Sequence, residues 1–422
     1  MTARTNAAKW TPVPLALTAL LAAGCAAQED NDPKRAASSP SATPHGYVEG
    51  AKEGAEQQSR LVLNDPGSGS TRVLDLITGK VTKTDNVTGA ADLATDGRFG
   101  YLHASGATHV LDGGSWTVDH GDHVHYYRAA IRDVGELPVG EGALVRSDAA
   151  VTAVTGKGGR TVLYDRGKLE KGDIARTRTL PGTVKGPVVP YREHLLALTG
   201  KGDAAKLTVF DRKGKRVAAP DAECEKPKGD AVTRRGVVFG CAEGALLVRE
   251  ESGKFTAEST PYETESTPYE PGSGPHEKGL PDTERAAEFR QRPGSDTLTA
   301  PAGDDSVWVL DVGERAWTRV ETGPVVAANT AGEGAPLLVL ETDGRLHGYD
   351  IKTGKETTRT EKLLTGKPHT RNAPVVEVDR SRAYVNDPYG KRVFEVDYND
   401  DLRIARTFDL DVEPVLMAET GR

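Results

Sequence analysis

Residues 71–81 read TRVLDLITGKV, and residues 346–357 read LHGYDIKTGKET. Each is a β-type run that ends in Asp, passes through a Gly turn and resumes as a second β-type run. Two antiparallel strands joined by a tight turn carry this signature. It recurs as THVLDGGSWTV (108–118), TVLYDRGKLE (161–170), LTVFDRKGKRV (207–217), ALLVREESGKF (245–255), VWVLDVGERAWTRV (307–320) and VFEVDYNDDLRI (393–404). Most successive copies fall about 40–50 residues apart, the period of a propeller blade of four short strands. The pattern predicts an all-β chain: a single β-propeller of seven or eight blades, eight being favoured by the number of copies. Seven stays open because the copy at 245–255 is degenerate and strands from both termini can share one blade. An array of β-sandwiches fits less well, since one period persists with no linker to divide domains.

Composition agrees. The chain has 422 residues, 37% hydrophobic and 27% charged, with Gly 47 and Pro 25. That suits a turn-rich β protein. A net charge of −8 argues against nucleic acid as a partner.

The N-terminus reads as a targeting signal. Arg4 and Lys9 precede TPVPLALTALLAA (11–23), an apolar stretch shorter than the roughly 20 residues needed to span a bilayer. LAAGC (21–25) resembles the lipobox of bacterial lipoproteins, with Ala22 where Leu is usual and Leu21 one place further back. The expected organisation is a lipoprotein signal peptide over 1–24, lipidation of Cys25, a flexible polar tether over 25–59 and the propeller over 60–422. The other reading is an ordinary secretory signal with an incidental Cys. A near-tandem duplication, ESTPYETESTPYE (258–270), marks a low-complexity insertion at about 256–290. If Cys25 carries lipid, Cys224 and Cys241 remain as one pair. Outside the cytoplasm they are expected to form a disulfide. Metal binding by the two thiols is the alternative, though no CxxC spacing is present.

One segment concentrates chemistry. VDHGDHVHYYR (118–128) holds His120, His123 and His125, three of the ten histidines, interleaved with Asp119 and Asp122. Gly121 permits a tight turn. If VHYY runs extended, His123 and His125 share one face because side chains alternate with period two. Three imidazoles then converge as a zinc site requires, and Asp122 can add an oxygen. Asp119 can instead orient an imidazole by accepting its second N–H. Against this, HxxHxH lacks the Glu of HExxH, and a His-rich turn can be a polar loop.

A resemblance favours zinc. DGGSWTVDHGDHVHYYR (112–128) looks like the signature segment of AztD-type zinc metallochaperones, extracytoplasmic β-propeller proteins associated with ABC zinc importers. GPVVPYREHLLAL (186–198), CEKPKGDAVTRRGVVFGCAEGALLV (224–248), SRAYVNDPYGKRVFEVD (381–397) and PVLMAETGR (414–422) are similar to further segments of that family. The resemblance implies zinc bound by His120, His123 and His125, with Asp122 adjacent. It implies transfer to the importer's solute-binding protein. It departs at two turns where the family carries His-Gly: here they read Lys185-Gly186 and Lys228-Gly229. A protonated lysine repels a cation, so a site built on those positions is in doubt.

Among other histidines, His369 is the extra candidate ligand, because it lies in a loop leading into a strand. His103 and His109 fall on one face if both strands stay extended across their turn. His194 is expected at a strand start in a structural role, and His347 after a turn, exposed. His45 and His276 are isolated. No nucleophile elbow, P-loop or GxGxxG is present, so an enzyme is not expected. The competing reading is a surface-tethered propeller that binds a protein or cell-wall ligand and has no metal role.

Overall fold

Eight antiparallel sheets follow one another along the chain, and a ninth, of three strands, stands outside the series. The computed structural model describes residues 50–120, 123–262, 280–332, 334–368 and 373–422. Residues 1–49 with Cys25 and His45, as well as Asp122, His276 and His369, lie outside the described residues.

The eight sheets are the blades of a propeller, which answers the question of seven or eight. Each repeat found in the sequence supplies the strand next to a blade's outermost one and the turn after it. Asp explains the repetition. The Asp75 carboxylate accepts the Thr78 N–H at 2.9 Å, and Asp350 accepts that of Thr353 at 2.7 Å. Asp211, Asp311 and Asp165 accept turn N–H groups in the same way. A short acceptor side chain at the end of a strand satisfies the donors that a tight turn leaves unpaired.

Two copies depart from the expected hairpin. After Thr161–Asp165 the chain enters a single helical turn, Arg166–Leu169, capped by Asp165. After Thr108–Asp112 the next strand, Ser115–Asp119, does not pair back. It leaves the blade, and Arg132–Leu137 takes the outer place beside Thr108–Asp112. The copy at 245–255 is not degenerate in structure: Gly244–Glu251 and Lys254–Pro261 pair over eight residues each. Lys254–Pro261 therefore reaches into the stretch read as the insertion, and at the far end of that stretch Arg285 and Ala286 are buried.

The ring closes on itself. Leu416–Thr420 pairs antiparallel with Arg60–Asn64, so the last strand is the first sheet's inner strand. Alternation then assigns side chains to seams. Leu61 and Leu63 pack toward Tyr384 and Val393 of the eighth blade, while Val62 packs toward Leu111 of the second. Comparable apolar clusters fill the remaining seams, for example Leu196 against Phe239 and Leu338 against Val385. Each such fully buried side chain contributes roughly 1.5–3 kcal/mol. No helix among the described residues is long and apolar enough to cross a membrane.

Cys224 and Cys241 form a disulfide, which removes the metal-thiolate alternative. It joins Glu223–Glu225, an extra strand on the fourth blade, to the end of Gly236–Cys241 in the fifth.

Candidate metal centre

The departing segment is a hairpin of Ser115–Asp119 and Val124–Arg128, with register Val118↔His125 and Asp119↔Val124. Lys52–Gly54 adds a third strand along Val124–Arg128. These residues fall in the stretch read from sequence as tether, so its final part is ordered structure.

The base of the hairpin is fixed by packing. Trp116 and Tyr127 are buried and stacked, ring centroids 5.4 Å apart. The Arg98 guanidinium lies 3.9 Å from the Trp116 ring centre and pairs with Asp112 at 2.9 Å. Arg60 donates to the carbonyls of Gly113 at 2.6 Å and Ala129 at 3.3 Å, so one side chain holds both legs. Gly114 is required here. It has φ +67°, and a Cβ would meet Arg60 Nη1 at 2.6 Å and the Ala129 carbonyl at 2.7 Å.

The tip carries the histidines. The His120 N–H donates to the His123 carbonyl at 3.0 Å and closes the turn. The ligand atoms of His120, His123 and His125 all lie within 4.8 Å of one another. His120 and His123 stack at 4.8 Å, and His125 stands edge-on to both. Bonds of about 2.0–2.1 Å to one zinc would draw the nitrogens to about 3.3 Å apart, a change within reach of side-chain rotation at an exposed tip. His120 and His123 are exposed and His125 is half-buried.

An orienting carboxylate comes from outside the segment. His125 Nδ1 lies 2.7 Å from Glu53 Oε1. Donation from Nδ1 leaves Nε2 as the lone-pair nitrogen for a metal. Asp119 pairs with Arg234 at 2.9 Å. Sequence reasoning missed Glu53, which stands 72 residues from His125; only the β pairing brings it near.

The tip sits over one mouth of the ring. A cleft of about 790 Å³ is lined by His123, Asp119, Arg234, Arg292 and Arg380. A second, of about 650 Å³, is lined by His120, Tyr126, Asp148, Arg192 and Arg422. Asp148, Arg192, Arg234 and Arg380 each follow an innermost strand, so this mouth is where those strands end. Lys185 and Lys228 precede inner strands, Val189–Tyr191 and Asp230–Thr233, and lie where those strands begin, away from the tip.

The other histidines are placed as follows. His103 is buried, with Nδ1 2.8 Å from Thr108 Oγ1, and His109 pairs with Asp133 at 2.9 Å. The register Leu102↔His109 and His103↔Thr108 puts the two on opposite faces, contrary to the extended-strand expectation. His194 opens its strand, Nδ1 2.7 Å from the Arg192 carbonyl, as a structural residue. His347 is only 4% exposed, the reverse of its expected exposure, because it pairs with Val339 inside a blade.

No family model and no curated protein matches the chain. Among solved structures, AztD from Citrobacter koseri matches with a TM-score of 0.69 at 18% identity, over 86% of this chain and 98% of that one. The chain has the AztD fold. The apo structure of the same AztD matches equally, at 0.69 and 17% identity over the same shares. The dihydro-heme d1 dehydrogenase NirN, in complex with DHE, is more distant: TM-score 0.52 and 14% identity over 86% of this chain and 75% of that one. At these identities the likeness is one of fold. The expected AztD-type propeller is thus borne out as an architecture, reached through sequences that differ at most positions.

Proposed function

We propose that this chain is an extracytoplasmic zinc metallochaperone: it captures Zn²⁺ with His120, His123 and His125 and passes it to the solute-binding protein of an ABC zinc importer. The observation that carries this reading is the convergence of three imidazoles at an open mouth, one of them oriented by Glu53. Three neutral nitrogens leave a tetrahedral zinc one position short. A partner's side chain can take that position before the first histidine lets go, so transfer proceeds by ligand exchange without free ion. Asp122 stands next in sequence as a carboxylate that can fill the fourth place between transfers, and His369 is a weaker candidate ligand. The role is that of a carrier, not an enzyme. The AztD fold and the sequence similarity at 112–128 support the same assignment.

In this proposal Cys25 is lipidated and residues 25–49 tether the folded part to the membrane outside the cytoplasm. Metabolic labelling with a fatty-acid analogue, lost in Cys25→Ala, tests the anchor.

A competition titration of the protein with Zn²⁺ against a chromophoric chelator tests capture. Wild type is expected to outcompete the chelator, and the triple His120→Ala, His123→Ala, His125→Ala variant to lose most of that ability. Equal weak binding by both would remove the proposal and leave a propeller that binds some other ligand. Transfer is tested by mixing zinc-loaded protein with an apo solute-binding protein in excess chelator and measuring metal in the separated partners.

A further inference from the structure

The seventh blade holds a second convergence of metal-ligating groups. Its strand Leu337–Glu341 runs away from the histidine mouth, turns, and returns as Leu346–Tyr349. Glu341 ends the first strand, Asp343 lies in the turn, and His347 stands on the return strand. His347 and Glu341 are 4% and 7% exposed. Their ligand atoms and that of Asp343 all lie within 4.8 Å of one another.

Each group is held from behind. Glu341 Oε1 accepts the Tyr349 hydroxyl at 2.5 Å and the Gly323 N–H at 3.0 Å. A Cβ at Gly323 would overlap Glu341 Oε2, so a side chain there would displace this carboxylate. Oε2 is thereby aimed at His347 Nε2, 3.6 Å away, and Asp343 Oδ2 lies 3.3 Å from the same nitrogen. On the far side of the ring, Glu356 Oε1 is 3.2 Å from Nδ1. Two arginines flank the group: Arg345 is 3.6 Å from Asp343 Oδ2 and Arg359 is 3.8 Å from Glu356 Oε1.

Two arrangements of charge suit such a cluster. One is an imidazolium among carboxylates, for which charge-assisted hydrogen bonds of about 2.7–2.9 Å are the rule. The other is a metal ion among three donors. A tetrahedron with bonds of about 2.0–2.1 Å has edges of about 3.3–3.4 Å. Nε2 is within hydrogen-bond reach of both Asp343 oxygens, at 3.3 and 3.4 Å, and these contacts and the 3.6 Å to Glu341 are long for the first arrangement and close to the edges of the second. Nδ1 is buried and makes no hydrogen bond, and the Glu356 carboxylate 3.2 Å away stands where the outer partner of a metal-bound histidine commonly lies.

We propose that Glu341, Asp343 and His347 form a second cation site, for a divalent first-row transition ion of the zinc type, with Glu356 orienting His347. One nitrogen and two carboxylates suit such an ion, whereas Ca²⁺ would require more oxygens. The site lies within one blade and shares no residue with the histidine tip. It therefore stands or falls independently of the carrier proposal.

The test uses the full chain carrying His120→Ala, His123→Ala and His125→Ala, titrated with Zn²⁺ alone by calorimetry and metal analysis. One tight equivalent is expected to remain. Asp343→Asn, in the exposed turn, and His347→Gln are each expected to weaken it at least tenfold, and Glu356→Gln by about 10–100-fold. Unfolding midpoints of the metal-free variants separate loss of ligand from loss of fold. The His347 ring resonances should shift on adding Zn²⁺. The proposal is overturned if no equivalent remains in the triple variant. It is equally overturned if the remaining one is unmoved by Asp343→Asn and the His347 resonances respond to pH but not to Zn²⁺.

Discussion

At the scale of single residues, position in sequence and position in space part company at the histidine tip. His120, His123 and His125 are legible because a turn and one strand suffice to gather them. Glu53 is not, because its neighbour is set by the pairing Glu53↔Tyr127 and its own stretch reads as polar linker. The burial of His347 was hidden for a related reason: a strand's register decides which face is interior. Glu53→Gln keeps the shape but weakens the acceptor on His125. It is expected to lower zinc affinity by about 10-fold or more with no change in unfolding midpoint, measured by the same chelator competition. Glu419 makes a different prediction. It accepts the Ser59 hydroxyl at 2.7 Å, and burial pushes its carboxyl from 4.5 up to about 8. The folded chain holds a proton that the unfolded chain has released, so stability falls as pH rises from about 4.5 to about 8. Urea unfolding at several pH values should show this fall, and Glu419→Gln should flatten it.

Secondary elements carry the second level of information. The Asp-to-Gly turns were readable because each is a local hydrogen-bonding device. THVLDGGSWTV shows the limit: its turn chemistry matches the other copies, yet its second strand pairs elsewhere. The Asp112 carboxylate accepts the Gly114 N–H at 2.9 Å as in the other turns. What differs is the company of Trp116, whose ring finds Arg98 and Tyr127 in place of an outer blade position. Gly114→Ala is therefore expected to impair zinc capture while leaving the blade's own ladder intact, as hydrogen exchange of Phe99–His103 and Thr108–Asp112 would report. The disulfide belongs to this level too. It closes a loop of 17 residues and ties two blades. Replacing both cysteines by serine should cost about 3 kcal/mol in chemical denaturation.

For the whole molecule, the number of turn copies favoured eight blades and left seven open, and the sheets decide for eight. The manner of closure was not legible, since Leu416–Thr420 looks like any strand until Arg60–Asn64 is seen beside it. Neither was the pairing of ESTP at 258–261, whose duplicate lies outside the described residues. A ring of seams has no single nucleus of stability, so its cooperativity depends on the last joint. Deleting residues 416–422 is expected to broaden thermal unfolding and raise exchange in the first and eighth blades before the fourth and fifth.

The attachment of the histidine hairpin has a mechanical meaning. Its legs cross Gly113–Gly114 and Ala129, both gripped by the Arg60 guanidinium, while its arm is latched by Thr117 to the Gly421 carbonyl at 2.8 Å and by Asp119 to Arg234. That is a lever on a pinned fulcrum. In the carrier proposed above, a partner that loosened these contacts would swing the arm outward with all three imidazoles aboard.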